Sequence, residues 1–250
     1  MKIIQDVLKA CGYGGQDAFS FSYKNDQEAF SRAVYPFVSE QYPDDVYLLV
    51  PVSPEVLSHA LGDAFLPALA SGFRKQKFHK SSMDRNTTLV LICRCAAGES
   101  IDHRARVQLE DDPYYFKKYV FVCSEQDAQA AERYLAEHRE MGESLTGAIR
   151  GCLLDTARFA GYKAGDPEQS AYAYFVELAT KVTVLPIQPE SKSSIRTVQS
   201  IWDEKLRDKP AIDLEALERV LDCVPENDKE KFDPDKVLDL WQASKKPGRS

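Results

Sequence analysis

The sequence predicts an α+β fold, in which a small mixed sheet of about four strands is covered by helices and followed by a helical C-terminal appendage. Three observations support this prediction. Short apolar runs are typical of buried strands, longer stretches repeat apolar residues at helical spacing, and the composition changes near residue 190. The chain has 250 residues, of which 44% are apolar, so it can bury a core without disulfide bonds.

Four segments are predicted as strands because they are short, apolar and rich in β-branched or aromatic residues. They are 46–50, 87–95, 118–123 and 182–187. Pro51 closes the first strand, and the fourth meets Pro186 and Pro189, residues that restrict a strand to a sheet edge. The strands do not alternate strictly with helices, which favours a mixed sheet over a doubly wound parallel one.

Six segments are predicted as helices from apolar residues at helical spacing and from capping residues. They are 2–11, 25–40, 54 to the low 70s, 125–138, 143–159 and 166–181. Asn25 and Asp26 are good N-caps for the second helix, as Ser124 and Ser144 are for the fourth and fifth. Pro54 is suited to the first turn of the third.

Residues 191–250 are predicted to form a charged appendage to a core domain of residues 1–190. In this region 25 of 60 residues are charged. Three amphipathic stripes run through it, and such stripes either dock on the main domain or bind a partner helix. The candidate partner-helix residues are Ile201, Trp202, Leu238 and Trp241.

Composition excludes several classes of protein. The longest apolar run has six residues, 171–176, whereas a membrane span needs about 20, so no membrane association is expected. Residues 1–6 do not resemble a secretory signal, and we expect a cytosolic protein with its six cysteines reduced. The net charge of −7 opposes non-specific attraction to nucleic acid, although a local basic patch could still act.

Sequence motifs for catalysis, metal binding or cofactor binding are weak. Cys93 and Cys95 form C-x-C rather than C-x-x-C and are interpreted as core residues. The four histidines show no metal-ligand spacing. No G-x-S-x-G nucleophile elbow occurs, and the glycines at 12–15 lack the G-K-[ST] ending of a phosphate loop. We therefore predict no cofactor and no metal.

A Mg²⁺-dependent nuclease is the alternative enzymatic hypothesis. Such enzymes often combine a carboxylate with an acid-x-Lys pair, in which the acids hold the metal and the lysine steadies the attacking water. Glu190 with Lys192, and Asp203 with Lys205, match this pattern by letters alone. Solvated surface residues explain the same triplets, because acidic and basic residues are abundant in this chain.

A basic segment covers residues 74–85, with five cations against one acid. Its candidate nucleic-acid-binding residues are Arg74, Lys75, Lys77, Lys80 and Arg85. Clustered cations around Phe78 suit contact with a phosphate backbone. A solvated helix end is the alternative, since cations also favour the C-terminal end of a helix dipole.

The most unusual stretch places three acids, three aromatic residues and two lysines directly before a strand. Its residues are Glu110, Asp111, Asp112, Pro113, Tyr114, Tyr115, Phe116, Lys117, Lys118 and Tyr119, followed by Val120. It could be a buried corner or a surface for a partner, because aromatic residues dominate interface energies. Spacing alone leaves both interpretations open.

At this stretch the sequence resembles the middle component of bacterial ABC-three-component systems, the conflict systems that include Lamassu. The resemblance rests on the acidic turn, proline, aromatic residues and Lys-Lys-Tyr-Val of 110–120, followed by the helix start at Ser124. Upstream, a polar segment and an apolar strand at 85–92 are also similar to the family. In order and character the likeness covers about residues 45–190.

The resemblance implies a non-catalytic adaptor in an antiviral or anti-plasmid complex. Such a subunit links an ABC ATPase of the structural-maintenance-of-chromosomes (SMC) type, which senses foreign DNA, to a toxic effector, often a nuclease, and restrains it. The expected partners are therefore the ATPase and the effector, with possible contact to a DNA backbone through the basic segment. A DNA-binding accessory protein is a further hypothesis.

Overall fold

The computed structural model describes residues 1–24, 29–60, 64–96 and 101–187, all within the first of the two units into which the chain divides, Met1–Pro189. The helices in these ranges are α1 (Lys2–Ala10), α2 (Pro54–His59), α3 (Phe65–Arg74), α4 (His103–Asp111), α5 (Glu125–Glu140), α6 (Leu145–Leu154), α7 (Thr156–Ala164) and α8 (Ser170–Lys181). The strands are β1 (Tyr13–Gly15), β2 (Phe19–Lys24), β3 (Ala29–Ser39), β4 (Val46–Val52), β5 (Thr87–Cys95) and β6 (Lys117–Ser124). Short 3₁₀ turns cover Ser81–Arg85 and Pro167–Gln169.

The six strands form one mixed sheet. Its order is β1-β3-β4-β5-β6, and β2 pairs separately with β3. The pairs that involve β1, β2 and β3 are antiparallel, whereas β4, β5 and β6 run parallel. In this parallel part Val50 lies beside Leu91, which lies beside Val120. The predicted α+β class with a mixed sheet is confirmed, with two strands more than expected.

Alternate side chains of the parallel strands build two cores, one on each face of the sheet. Leu49, Val90 and Phe121 join one core with residues of α1, α5, α6 and α8. Their neighbours Leu48 and Leu91 join the other core, with residues of β2, α2, α3 and α4. Both faces of the parallel strands are therefore covered, which explains why these strands are apolar almost throughout.

The predicted helix over 25–40 is wrong where it can be compared, because residues 29–39 form β3. Phe30, Val34, Phe37 and Val38 fit helical spacing, but Pro36 lies inside this window and would break a helix interior. The preceding strand β2 was not predicted, although its alternating sequence FSFSYK gives alternating burial. The two strands pair antiparallel; Phe19, Phe21 and Tyr23 of β2 belong to the second core, whereas Phe37 of β3 belongs to the first.

Other boundaries also differ. The long third helix is two helices, α2 and α3. The predicted helix over 143–159 divides at Asp155, whose carboxylate accepts hydrogen bonds from the first amides of α7. Residues 182–187 form turns instead of a fourth strand, and α4 was not predicted. The caps at Ser124 and Ser144 are confirmed, since each hydroxyl accepts from an amide three residues on.

Candidate interaction site

The acidic and aromatic stretch forms a turn between α4 and the edge strand β6. Glu110 and Asp111 end the helix, and Asp112 adopts an extended conformation at its C-cap. Pro113 follows, a residue that cannot continue a helix because it lacks an amide hydrogen. We call residues 112–116 the aromatic turn. It ends where Lys117 begins β6.

The three aromatic residues of the turn have different environments. Tyr114 is 69% exposed and Tyr115 is 44% exposed, whereas Phe116 is buried. The Phe116 ring lies 6.1 Å from that of Phe73 in α3, which anchors the turn to the second core. Tyr115 has a φ of +67°, an unfavourable value for an aromatic residue. The segment therefore combines both interpretations, because Phe116 is part of the core and the two tyrosines are exposed to solvent.

The buried side chain of Lys118 contacts the backbone of the aromatic turn. Its side chain is 0% exposed, and its ammonium group donates hydrogen bonds to the carbonyl oxygens of Tyr114, at 2.7 Å, and Phe116, at 3.0 Å. The same nitrogen lies 2.8 Å from an oxygen of Asp112. An ammonium has three donors, and here three oxygens surround it, so a charge that would be costly to bury alone is paired. These contacts fix the backbone on both sides of Tyr115.

Two carboxylates cover the open edge of β6. Glu110 accepts from the amide of Val120 at 2.8 Å, and Glu177 of α8 accepts from the amide of Val122 at 3.3 Å. Lys181 binds Glu110 at 2.6 Å, and Arg106 binds Glu177 at 2.6 Å. Exposed strand edges invite pairing with other chains. Here the network between α4 and α8 occupies amides that another strand would need.

Tyr119 lies beside this network rather than in the turn. The ammonium of Lys117 is 5.1 Å from the centre of its ring, and that of Lys181 is 5.6 Å away. Both distances fit cation–π contacts. Tyr119 therefore has a structural role at the edge strand.

The basic segment runs from the end of α3 through the first 3₁₀ turn. All five predicted nucleic-acid-binding residues are exposed. Arg74 is held by Asp84 at 3.0 Å, and the opposite oxygen of that carboxylate lies 2.9 Å from His79. Burial raises the pKa of Asp84, but hydrogen bonds with His79 and Arg74 outweigh this and leave the pKa below its ordinary value.

The structure brings the two predicted segments together at the amino ends of the parallel strands. A depression of about 410 Å³ lies there. Its lining residues are Tyr42, Asp45, Arg85, Asn86, Thr87, Thr88 and Lys117. Arg85 belongs to the basic segment and Lys117 to the acidic and aromatic stretch. Sequence reasoning did not connect them, because their proximity depends on the pairing of β5 with β6.

The remaining sequence predictions concern metal binding, membrane spans, the cysteines and residues beyond 187. In the described ranges, no group of three His, Cys, Asp or Glu residues could hold a metal ion, and no helix there is long and apolar enough to cross a membrane. The five cysteines described are free, and burial raises the pKa of Cys123 and of Cys152 to about 11. The acid-x-Lys triplets and the candidate partner-helix residues lie outside the described residues.

Comparison with protein-family models gives a match to part of the chain. The family model described as ABC-three component (ABC-3C) system Middle Component 1 matches residues 67–145. That range contains the basic segment, the aromatic turn and most of the parallel sheet. The resemblance stated from the sequence is thus confirmed, over a shorter stretch than 45–190. Neither the curated proteins nor the solved structures give a match to this chain.

Proposed function

Because residues 67–145 match an ABC-3C middle component, we propose that this protein is a non-catalytic adaptor of a defence complex. In this proposal it links an SMC-type ABC ATPase, which senses DNA, to a toxic effector such as a nuclease. The adaptor holds the effector inactive until the ATPase responds. It acts in the cytoplasm, by protein–protein contact rather than by chemistry of its own.

The observation that carries this proposal is the aromatic turn. Tyrosines are frequent anchors at interfaces because they bring a large, rigid contact surface at low cost in conformational entropy. Tyr114 and Tyr115 are exposed, and the buried ammonium of Lys118 fixes the backbone that carries them. A surface that is already ordered loses less entropy when a partner binds. The exposed tyrosines on an ordered backbone therefore suit the turn to binding a partner protein.

The network at β6 indicates how a partner would dock. Addition of a strand to an exposed sheet edge needs free backbone amides. Glu110 and Glu177 already accept from the amides of Val120 and Val122. A partner is therefore expected to bind the side chains of the aromatic turn instead of extending the sheet.

Co-purification with substituted proteins tests this role. The tagged chain is expressed with its genomic neighbours, and the recovered complex is weighed by mass spectrometry. The informative variant is Tyr114→Ala with Tyr115→Asn, because asparagine tolerates the positive φ at position 115. Tyr162→Ala on α7 is the control, since it removes a tyrosine that is also exposed, at 38%.

The double variant should lose a partner while its melting temperature stays that of the parent, and the control should keep the partner. Retention of every partner by the double variant would overturn the docking role of the turn. A separate variant, which lacks residues 191–250, tests the predicted partner-helix residues Ile201, Trp202, Leu238 and Trp241. An unchanged complex mass after that deletion would remove the appendage from the proposal.

A further inference from the structure

The depression at the amino ends of β4, β5 and β6 is formed by three neighbouring strand starts. Asp45 directly precedes β4, Thr87 and Thr88 begin β5, and Lys117 begins β6 beside Thr88. Arg85 ends the 3₁₀ turn that leads into β5. Two cations from separate parts of the sequence therefore line one depression of about 410 Å³.

The charge of the depression favours an anion. None of the ion pairs within the described ranges involves Arg85 or Lys117, and both side chains are exposed. The opposing carboxylate is Asp45, and one of its oxygens already accepts a hydrogen bond from the Tyr13 hydroxyl at 2.6 Å. Two cations thus face one carboxylate that is partly satisfied.

An exposed aromatic residue lies in the same depression. Tyr42 is 62% exposed and lines it together with the side chain of Asn86, which is also exposed. Cations that contact phosphates, next to an aromatic ring on which a base can stack, are the usual elements of a single-strand-binding surface. Lys75, Lys77 and Lys80 precede Arg85 in the basic segment, and all three are exposed.

We infer that this depression binds a single-stranded nucleic acid, with Arg85 and Lys117 contacting backbone phosphates and Tyr42 stacking on an adjacent base. Sites for small ligands are usually concave and bury most of the ligand. This depression is open to solvent and is lined by charged and polar residues, which suits a chain that passes across it. The site can operate whether or not the aromatic turn binds a protein.

Binding of a fluorescent 20-nucleotide oligo(dT) to the full chain, followed by anisotropy over a range of salt concentrations, tests this inference. Log affinity falls as log salt concentration rises, and each phosphate contact to a single strand contributes about 0.7 to the steepness of this fall. The double variant Arg85→Gln with Lys117→Gln should therefore make the fall shallower, by about 1.4 in the magnitude of the slope. Arg133→Gln with Lys163→Gln, which removes the same charge from α5 and α7, should leave the slope unchanged.

Two further variants test the neighbours of the cations. Tyr42→Ala should weaken binding about tenfold through loss of stacking, whereas Tyr42→Phe should bind like the parent. Asp45→Asn should strengthen binding, because it removes the opposing charge and keeps an acceptor for Tyr13. Thermal melting of every variant separates loss of binding from loss of folding.

Four results would overturn the inference. The first is no binding by the parent at low salt, and the second is an equal fall in slope for the α5/α7 control. The third is displacement of oligo(dT) by millimolar thymidine monophosphate or inorganic phosphate, which would assign the depression to a small anion. Loss of a co-purifying protein from the Arg85/Lys117 variant, with oligonucleotide binding intact, would assign it to a protein.

Discussion

Replacement of Lys118 by methionine should destabilise the fold by about 3 kcal/mol. Methionine has similar length and volume but donates no hydrogen bond. The carbonyl oxygens of Tyr114 and Phe116 would lose their donor, and the carboxylate of Asp112 would lose the cation at 2.8 Å. The aromatic turn would then have to reorganise around two carbonyl oxygens and a carboxylate that contact the ammonium in the native structure.

The magnitude follows from these contacts. A hydrogen bond to a charged group contributes about 1.5–3 kcal/mol, and removal of one partner of a buried ion pair costs about 3–5 kcal/mol. These values describe overlapping effects at one ammonium and do not add. The Asp112 oxygen that contacts the ammonium is buried, but the side chain as a whole is 17% exposed, so water can reach the rest of it. The lower end of the range, about 3 kcal/mol, is therefore expected.

Urea unfolding at neutral pH measures the effect, and the adjacent lysine supplies a matched control. Lys117→Met makes the same chemical change at an exposed position, where it removes only the cation–π contact with Tyr119, and should alter the free energy of unfolding by less than about 1 kcal/mol. Adding Asp112→Asn to Lys118→Met should recover part of the loss, because it removes the unpaired charge. A loss below about 1 kcal/mol for Lys118→Met, or one equal to that of Lys117→Met, would show that the Lys118 ammonium does not hold the aromatic turn.

Three other perturbations follow from the structure. Glu110→Ala should lower the melting temperature more than Glu110→Gln does, because glutamine keeps an acceptor for the Val120 amide; the reverse order would contradict the edge network. The pKa of Asp84 is lowered on folding, against the effect of burial, chiefly by the hydrogen bond with His79. Its stabilising contribution is then complete above the unfolded value of about 3.8 and is lost as the pH falls through the lower folded pKa. The difference in unfolding free energy between parent and Asp84→Asn should therefore shrink in acid, and a difference that grows in acid would exclude this explanation. Asp155→Ala should cost about 1 kcal/mol in urea unfolding through loss of the α7 cap, and no change would show that the cap is dispensable.

The parallel part of the sheet was predictable because both of its faces are buried. Continuous apolar, β-branched and aromatic runs at 46–50, 87–95 and 118–123 leave little choice of structure. The antiparallel part was harder, since the apolar spacing of β3 fits a helix as well as a strand. Pro36 within that window was the available signal against a helix, and the alternation in 19–24 was the signal for its partner.

For the candidate site, the sequence was enough to identify residues 110–120 as unusual, but not to distinguish their buried residues from their exposed ones. That Phe116 is core and Tyr114 is surface depends on how α3 packs against the turn, a contact between residues more than forty positions apart. The depression that joins Arg85 to Lys117 likewise depends on strand pairing. Such long-range proximity leaves no mark in local spacing.

The central claim is that this chain is the adaptor of a multi-component complex, and composition analysis of the complex tests it most directly. The tagged chain, expressed with its genomic neighbours, should co-purify with an SMC-type ABC ATPase and an effector in a defined stoichiometry. Tyr114→Ala with Tyr115→Asn should remove at least one of them. Elution of the parent chain alone, with Mg²⁺-dependent cleavage of DNA that Glu190→Ala abolishes, would contradict the adaptor role and establish the nuclease hypothesis instead.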